Sequence, residues 1–137
     1  MSKTERSNRI LQSVGAVFAG VLTIFVLSLG TDAVLHATRV YPPWGEPMAD
    51  ALFVVATIYR IVYAIAGSYI TARLARDRPM NHALALGVVG VILSVAGAVA
   101  TWNAGPAFEN KWYPLALIFS ALPCAWLGGK LRVMQLR

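Results

Sequence analysis

Arg60 is the residue in this chain with the most chemistry to explain. It is the sole charge in the 22-residue stretch Ala51 to Ala72. Read as a helix rising about 1.5 Å per residue, the ten residues from Asp50 put it about 15 Å deep. In a hydrocarbon layer about 30 Å thick, that is the midplane. A guanidinium there costs at least about 2.5–3.5 kcal/mol on insertion scales, so it should face other helices or a wet cavity and hold a partner. Three readings follow. Arg60 is a structural ion pair, reaching Asp32 or carbonyls at helix breaks; it binds an anionic or carbonyl-bearing group in a pocket; or it meets a partner subunit.

The neighbours of Arg60 bear on this choice. Arg60, Ala64, Gly67, Ser68 and Thr71 fall on one helical face, which is small and polar. Tyr59 and Tyr63 flank it at helical spacing, where they could stack on the guanidinium, hydrogen-bond near it, or simply pack. Asp32 and His36 lie four residues apart and share a face near the far end of the first apolar run. Such a pair suits a proton relay, or an interfacial cap with an ion-pair partner in Arg39 or Arg60. Two ligands are too few for a metal site, and His82 belongs to the opposite end of the bundle.

Other chemistries lack their residues. Cys124 is the single cysteine, so neither an intrachain disulfide nor a thiolate cluster is available, and it reads as a small packing residue. The chain contains no phosphate-binding loop, zinc motif, nucleophile elbow or haem attachment site. Gly128-Gly129-Lys130 is a helix-end signal. No cofactor, metal or catalytic residue is therefore expected, and an enzyme is the least favoured class.

The elements that must position these residues follow from composition. The 137 residues are 58% hydrophobic and 13% charged, far from the roughly one-quarter charged residues of a soluble domain. The charges cluster between uncharged runs of membrane-spanning length. Four spans are predicted, at about 10–34, 51–74, 83–102 and 112–130, forming an all-α four-helix transmembrane bundle in a single domain. The first begins with 22 uncharged residues from Ile10 to Thr31. That run exceeds the apolar region of a secretory leader and no small-x-small site follows, so it is expected to be a retained helix. Nothing from Asp32 to Thr38 breaks a helix, and Tyr41-Pro42-Pro43-Trp44-Gly45 is the first firm stop. In the fourth span, Pro114 falls in the first turn at no cost, whereas Pro123 should introduce a kink. The third span carries Gly87, Gly90, Ser94 and Gly97 three or four residues apart, a stripe that predicts close packing against another helix of this chain or of another. There is no internal repeat, linker or low-complexity segment.

Charge sets the expected orientation. Lys3, Arg6, Arg9, Arg73, Arg76, Arg78, Lys130, Arg132 and Arg137 lie at the end shared by the termini and the middle loop; Arg39 and Lys111 lie at the other. The bias places both termini in the cytoplasm and the loops near Trp44 and Phe108 outside. Tyr41, Trp44, Trp102, Trp112 and Tyr113 form the outer aromatic belt. The net charge of +6 reflects this segregation and not a nucleic-acid surface.

Several segments have a familiar look. Tyr59-Arg60, Ile70-Thr71-Ala72-Arg73-Leu74-Ala75, Arg78-Pro79-Met80-Asn81-His82-Ala83-Leu84, Trp102-Asn103, Gly105-Pro106, Trp112-Tyr113-Pro114 and Leu127-Gly128-Gly129-Lys130-Leu131-Arg132 together resemble small four-helix bacterial membrane proteins. The resemblance covers most of the chain and implies four helices and a bacterial inner membrane. It brings no activity, so no functional residue is carried over. The size is that of small multidrug transporters, but the first span lacks their mid-helix glutamate. The expected partners are the lipid bilayer, a small anionic or polar solute near Arg60, and a second copy or a larger membrane complex in which this chain is an accessory subunit.

Overall fold

The computed structural model describes residues 2–105 and 110–137; Pro106 and Phe108 lie outside the described residues. Among the described residues the chain forms four helices: α1 (Lys3–Ala37), α2 (Asp50–Leu74), α3 (Pro79–Thr101) and α4 (Trp112–Gln135). Each is long and apolar enough to cross a membrane.

Local chemistry fixes the helix ends. Ser2 and Glu5 build a reciprocal capping box at the start of α1, with Ser2 Oγ accepting from the Glu5 amide at 3.1 Å. At the other end α1 continues past Thr31 to Ala37, where Arg39 turns left-handed at φ 63° ahead of the Pro42-Pro43 pair. α3 starts four residues before its apolar run because Pro79 occupies the first turn, where its missing N–H costs nothing. α4 runs through Pro123 without ending.

The four helices alternate in direction. Both termini and the α2–α3 turn lie at one end, here called basal; the α1–α2 and α3–α4 loops lie at the other, the apical end. The strongest packing is of α4 on α3 and α2, and of α1 on α2; α1 meets α3 only over a short stretch. There His82 Nε2 lies 2.9 Å from Ser13 Oγ. At the apical end Asp50 accepts from the indole N–H of Trp112 at 3.2 Å and from Asn110, and so ties the start of α2 to that of α4.

The core is built mainly of small side chains, with Leu86 and Phe53 the larger apolar groups buried among them. Ala16, Ala56, Ala72, Ala83, Cys124 and Ala125 are buried, whereas Phe18 is 63% exposed and Phe119 77%. A bundle folding in water would hide the large apolar groups first. Reversing that order suits helices that associate by close backbone approach with hydrocarbon outside.

The closest approaches are not on the α3 stripe alone. A Cβ added at Gly128 would lie 2.5 Å from the Ile65 carbonyl and 2.6 Å from Ser68 Cβ on α2. Gly20 and Gly67 face each other across α1 and α2, and a Cβ added to either would lie 2.8 Å from the other's carbonyl oxygen. On α3, Gly87 packs on Ala125 of α4, Gly90 has only an ordinary contact with Ala121, and Gly97 has nothing within 4 Å. The predicted stripe is therefore tight at Gly87 and open at Gly97, whereas the adjacent Ala98 is buried.

Candidate functional site

The polar residues of the apical half converge on Asp32. α1 remains helical past Thr31, and this brings the Asp32 carboxylate to the level of Tyr59 and Arg60 on α2. Arg60 Nη2 lies 2.5 Å from Asp32 Oδ2, and the Tyr59 hydroxyl donates to Oδ1. The Tyr41 and Tyr59 hydroxyls are 3.0 Å apart. Since Tyr59 gives its proton to the carboxylate, Tyr41 must donate to Tyr59, and the chain of donors runs from the α1–α2 loop inward to Asp32. Tyr41 is 4% exposed, and burial raises its phenol above the usual tyrosine range.

Arg60 is held on several sides. Its guanidinium carbon sits 5.6 Å from the centre of the Tyr59 ring, within cation–π range, and Tyr113 from the start of α4 lies beside it. Tyr63 does not touch the ion pair; its hydroxyl is 2.7 Å from that of Thr31, which itself donates to the Leu27 carbonyl. Tyr59 and Tyr63 pack as a tilted pair 5.8 Å apart.

His36 goes elsewhere. Its Nδ1 lies 2.9 Å from the Pro42 carbonyl, an acceptor only, so Nδ1 carries a proton. The ring stacks on Trp44 at 3.6 Å and meets Tyr41 edge-on. Although Asp32 and His36 share a helical face, one closes the ion pair and the other braces the loop. Among the described residues no three His, Cys, Asp or Glu side chains converge as metal ligands would.

Below the ion pair, all four helices line a cavity of about 230 Å³. Its wall is apolar (Ile24, Phe25, Leu86, Leu93, Leu117) except for Arg60, Ser28, Ser94 and Ser120. Two polar atoms buried there have no hydrogen-bond partner, Arg60 Nε and Ser28 Oγ. Such atoms are rare because an unmet donor out of water costs about 1–3 kcal/mol. Here both belong to residues that line one cavity.

Sequence reasoning singled out Arg60, Asp32 and Tyr59, which the structure brings together. It also named Tyr63 and His36, which stand one step away, and it took Ser94 for a packing residue although Ser94 lines the cavity. It missed Ser28 as a site residue and took Tyr41 for an interface aromatic. The signal for Tyr41 was slight, a tyrosine just ahead of two prolines near an in-span aspartate. For Ser28 there was none.

No family model matches the chain, and no curated protein and no solved structure shows significant similarity to it.

Proposed function

We propose that this chain is a multi-pass protein of the bacterial inner membrane, both termini cytoplasmic, whose Arg60 cavity binds or transports a small anionic or polar solute. The membrane side and orientation rest on the nine-to-two bias of Lys and Arg between the two ends, with the bacterial origin drawn from the resemblance described above. Reporter fusions after Arg78 and at the C-terminus should read cytoplasmic; a fusion at Trp44 reading cytoplasmic would overturn the orientation.

One observation carries the solute reading. A structural ion pair needs only Asp32, yet Arg60 keeps a second, unpaired donor and lines a cavity together with Ser28, whose buried hydroxyl is also unpaired. The test separates folding from binding. Arg60→Met alone leaves Asp32 without its counter-ion and should cost about 3–5 kcal/mol; adding Asp32→Asn should restore most of it. Native mass spectrometry of the gently extracted chain should then find a small molecule on the parent and none on the stable double variant. A double variant that retains the molecule would refute the assignment.

A second reading, an accessory subunit of a larger complex, draws on α1, where Ala16, Gly20 and Ser28 are the buried residues of a 35-residue helix. A stoichiometric partner that co-purifies and protects the outer face of α1 would favour it.

A further inference from the structure

Resting on that pocket reading, we infer that the solute is uncharged, with an apolar body and an acceptor oxygen such as a carbonyl. Charge balance is the first argument. Among the described residues Arg60 is the one ionisable group in the cavity wall, and Asp32 already neutralises it at 2.5 Å. An anion entering the cavity would find no surplus positive charge and would have to displace Asp32, which Tyr59 also holds. A cation would meet the guanidinium. Both are costly in a low-dielectric interior, whereas a neutral molecule leaves the pair intact.

The unpaired atoms supply the second argument. Arg60 Nε is a donor only, and Ser28 is a hydroxyl whose proton is uncommitted. The hydroxyls of Thr23, Thr57, Ser68 and Thr101 all turn back to the carbonyl four residues earlier at 2.8 Å, the default for such side chains in a helix. Ser28 does not, although it is 3% exposed. Two donors and an apolar wall fit an oxygen with lone pairs at the edge of a hydrocarbon body. Size is the third argument. The cavity of about 230 Å³ is half as large again as the roughly 150 Å³ void that admits benzene, which leaves room for a six-membered ring and a short arm.

The experiment uses three probes of similar shape and different charge: 4-fluoroacetophenone, 4-fluorobenzoate and 1-ethyl-4-fluorobenzene. Their saturable binding to the full chain in lipid nanodiscs is followed by fluorine NMR against empty nanodiscs. The ketone should bind at least about tenfold more tightly than the benzoate. Ser28→Ala, nearly isosteric, should weaken the ketone by roughly three- to tenfold, the size of one hydrogen bond, and leave the ethyl compound unchanged. Ala64→Leu, which adds bulk to the wall, should remove both. If the benzoate binds best, the charge argument fails while the pocket stands. A ketone indifferent to Ser28→Ala would sink the donor argument. If no probe shows binding that Ala64→Leu abolishes, the cavity holds only water and both readings fall.

Discussion

The basal and apical halves of this bundle are built from the same four helices and reach opposite solutions. In the basal half Gly20, Gly67 and Gly128 bring backbones into contact, Gly87 and Gly129 seat against Ala125 and Ala83, and among the described residues the one buried side-chain hydrogen bond between helices runs from Thr71 Oγ1 to the Ala16 carbonyl at 2.8 Å. In the apical half larger polar side chains join α1, α2 and the loop between them, and a cavity lies beneath them. Close packing of small residues supplies van der Waals contact without a large apolar core, which is how helices associate when their surroundings are as apolar as their side chains. Stability and candidate function are separated along the bundle axis.

Substitutions can break that contrast. The largest effect should come from Gly128→Leu, since even a methyl would clash with the α2 backbone; a loss above about 3 kcal/mol, or failure to fold, is expected in detergent denaturation. Gly97→Leu on the apical side should stay within about 0.5 kcal/mol of the parent, because nothing surrounds that position. Equal losses in the two variants would mean the halves do not differ. Thr71→Val should cost about 1 kcal/mol by removing the bond to α1, with Tyr63→Phe costing less because its partner Thr31 sits in the looser half.

The smallest effect is a pH dependence. Burial raises the Tyr41 phenol in the folded state, so the folded protein keeps that proton where the unfolded chain, at about 10, loses it. More protons on the folded form means stability that is intact below about pH 10 and declines as pH rises beyond it. Tyr41→Phe should remove part of this alkaline decline and leave melting at neutral pH nearly unchanged. A parent and variant with parallel alkaline profiles would show that Tyr41 is not held as described.

What the sequence revealed depended on how costly each feature is. An arginine ten residues into an apolar run must have a partner, and Asp32 is the in-span carboxylate at the right end, so the pair was legible. The face of α2 from Arg60 to Thr71 was legible too, because helical spacing alone defines it. The partner of each face was not. Small residues on α3 announce that something packs closely, but Gly20 and Gly67 announce it equally, and only the assembled bundle shows that α1 and α2 meet there while Gly97 stays open. Ser28 was invisible for a similar reason. Its distinction is a bond it does not make, and the cavity beside it is a shape left by four helices together.

The Asp32–Arg60 pair joins helices that follow one another in the chain, with only residues 38–49 between them. For a chain threaded into a bilayer from its N-terminus, the carboxylate is already waiting when the guanidinium leaves the translocon. Neither helix then has to settle in hydrocarbon carrying a bare charge, and the hairpin becomes the unit of insertion. Helix order along the chain is thus part of what makes a midspan arginine tolerable. A circular permutation parting α1 from α2 would keep every contact of the finished bundle and still present Arg60 to the membrane before its counter-ion.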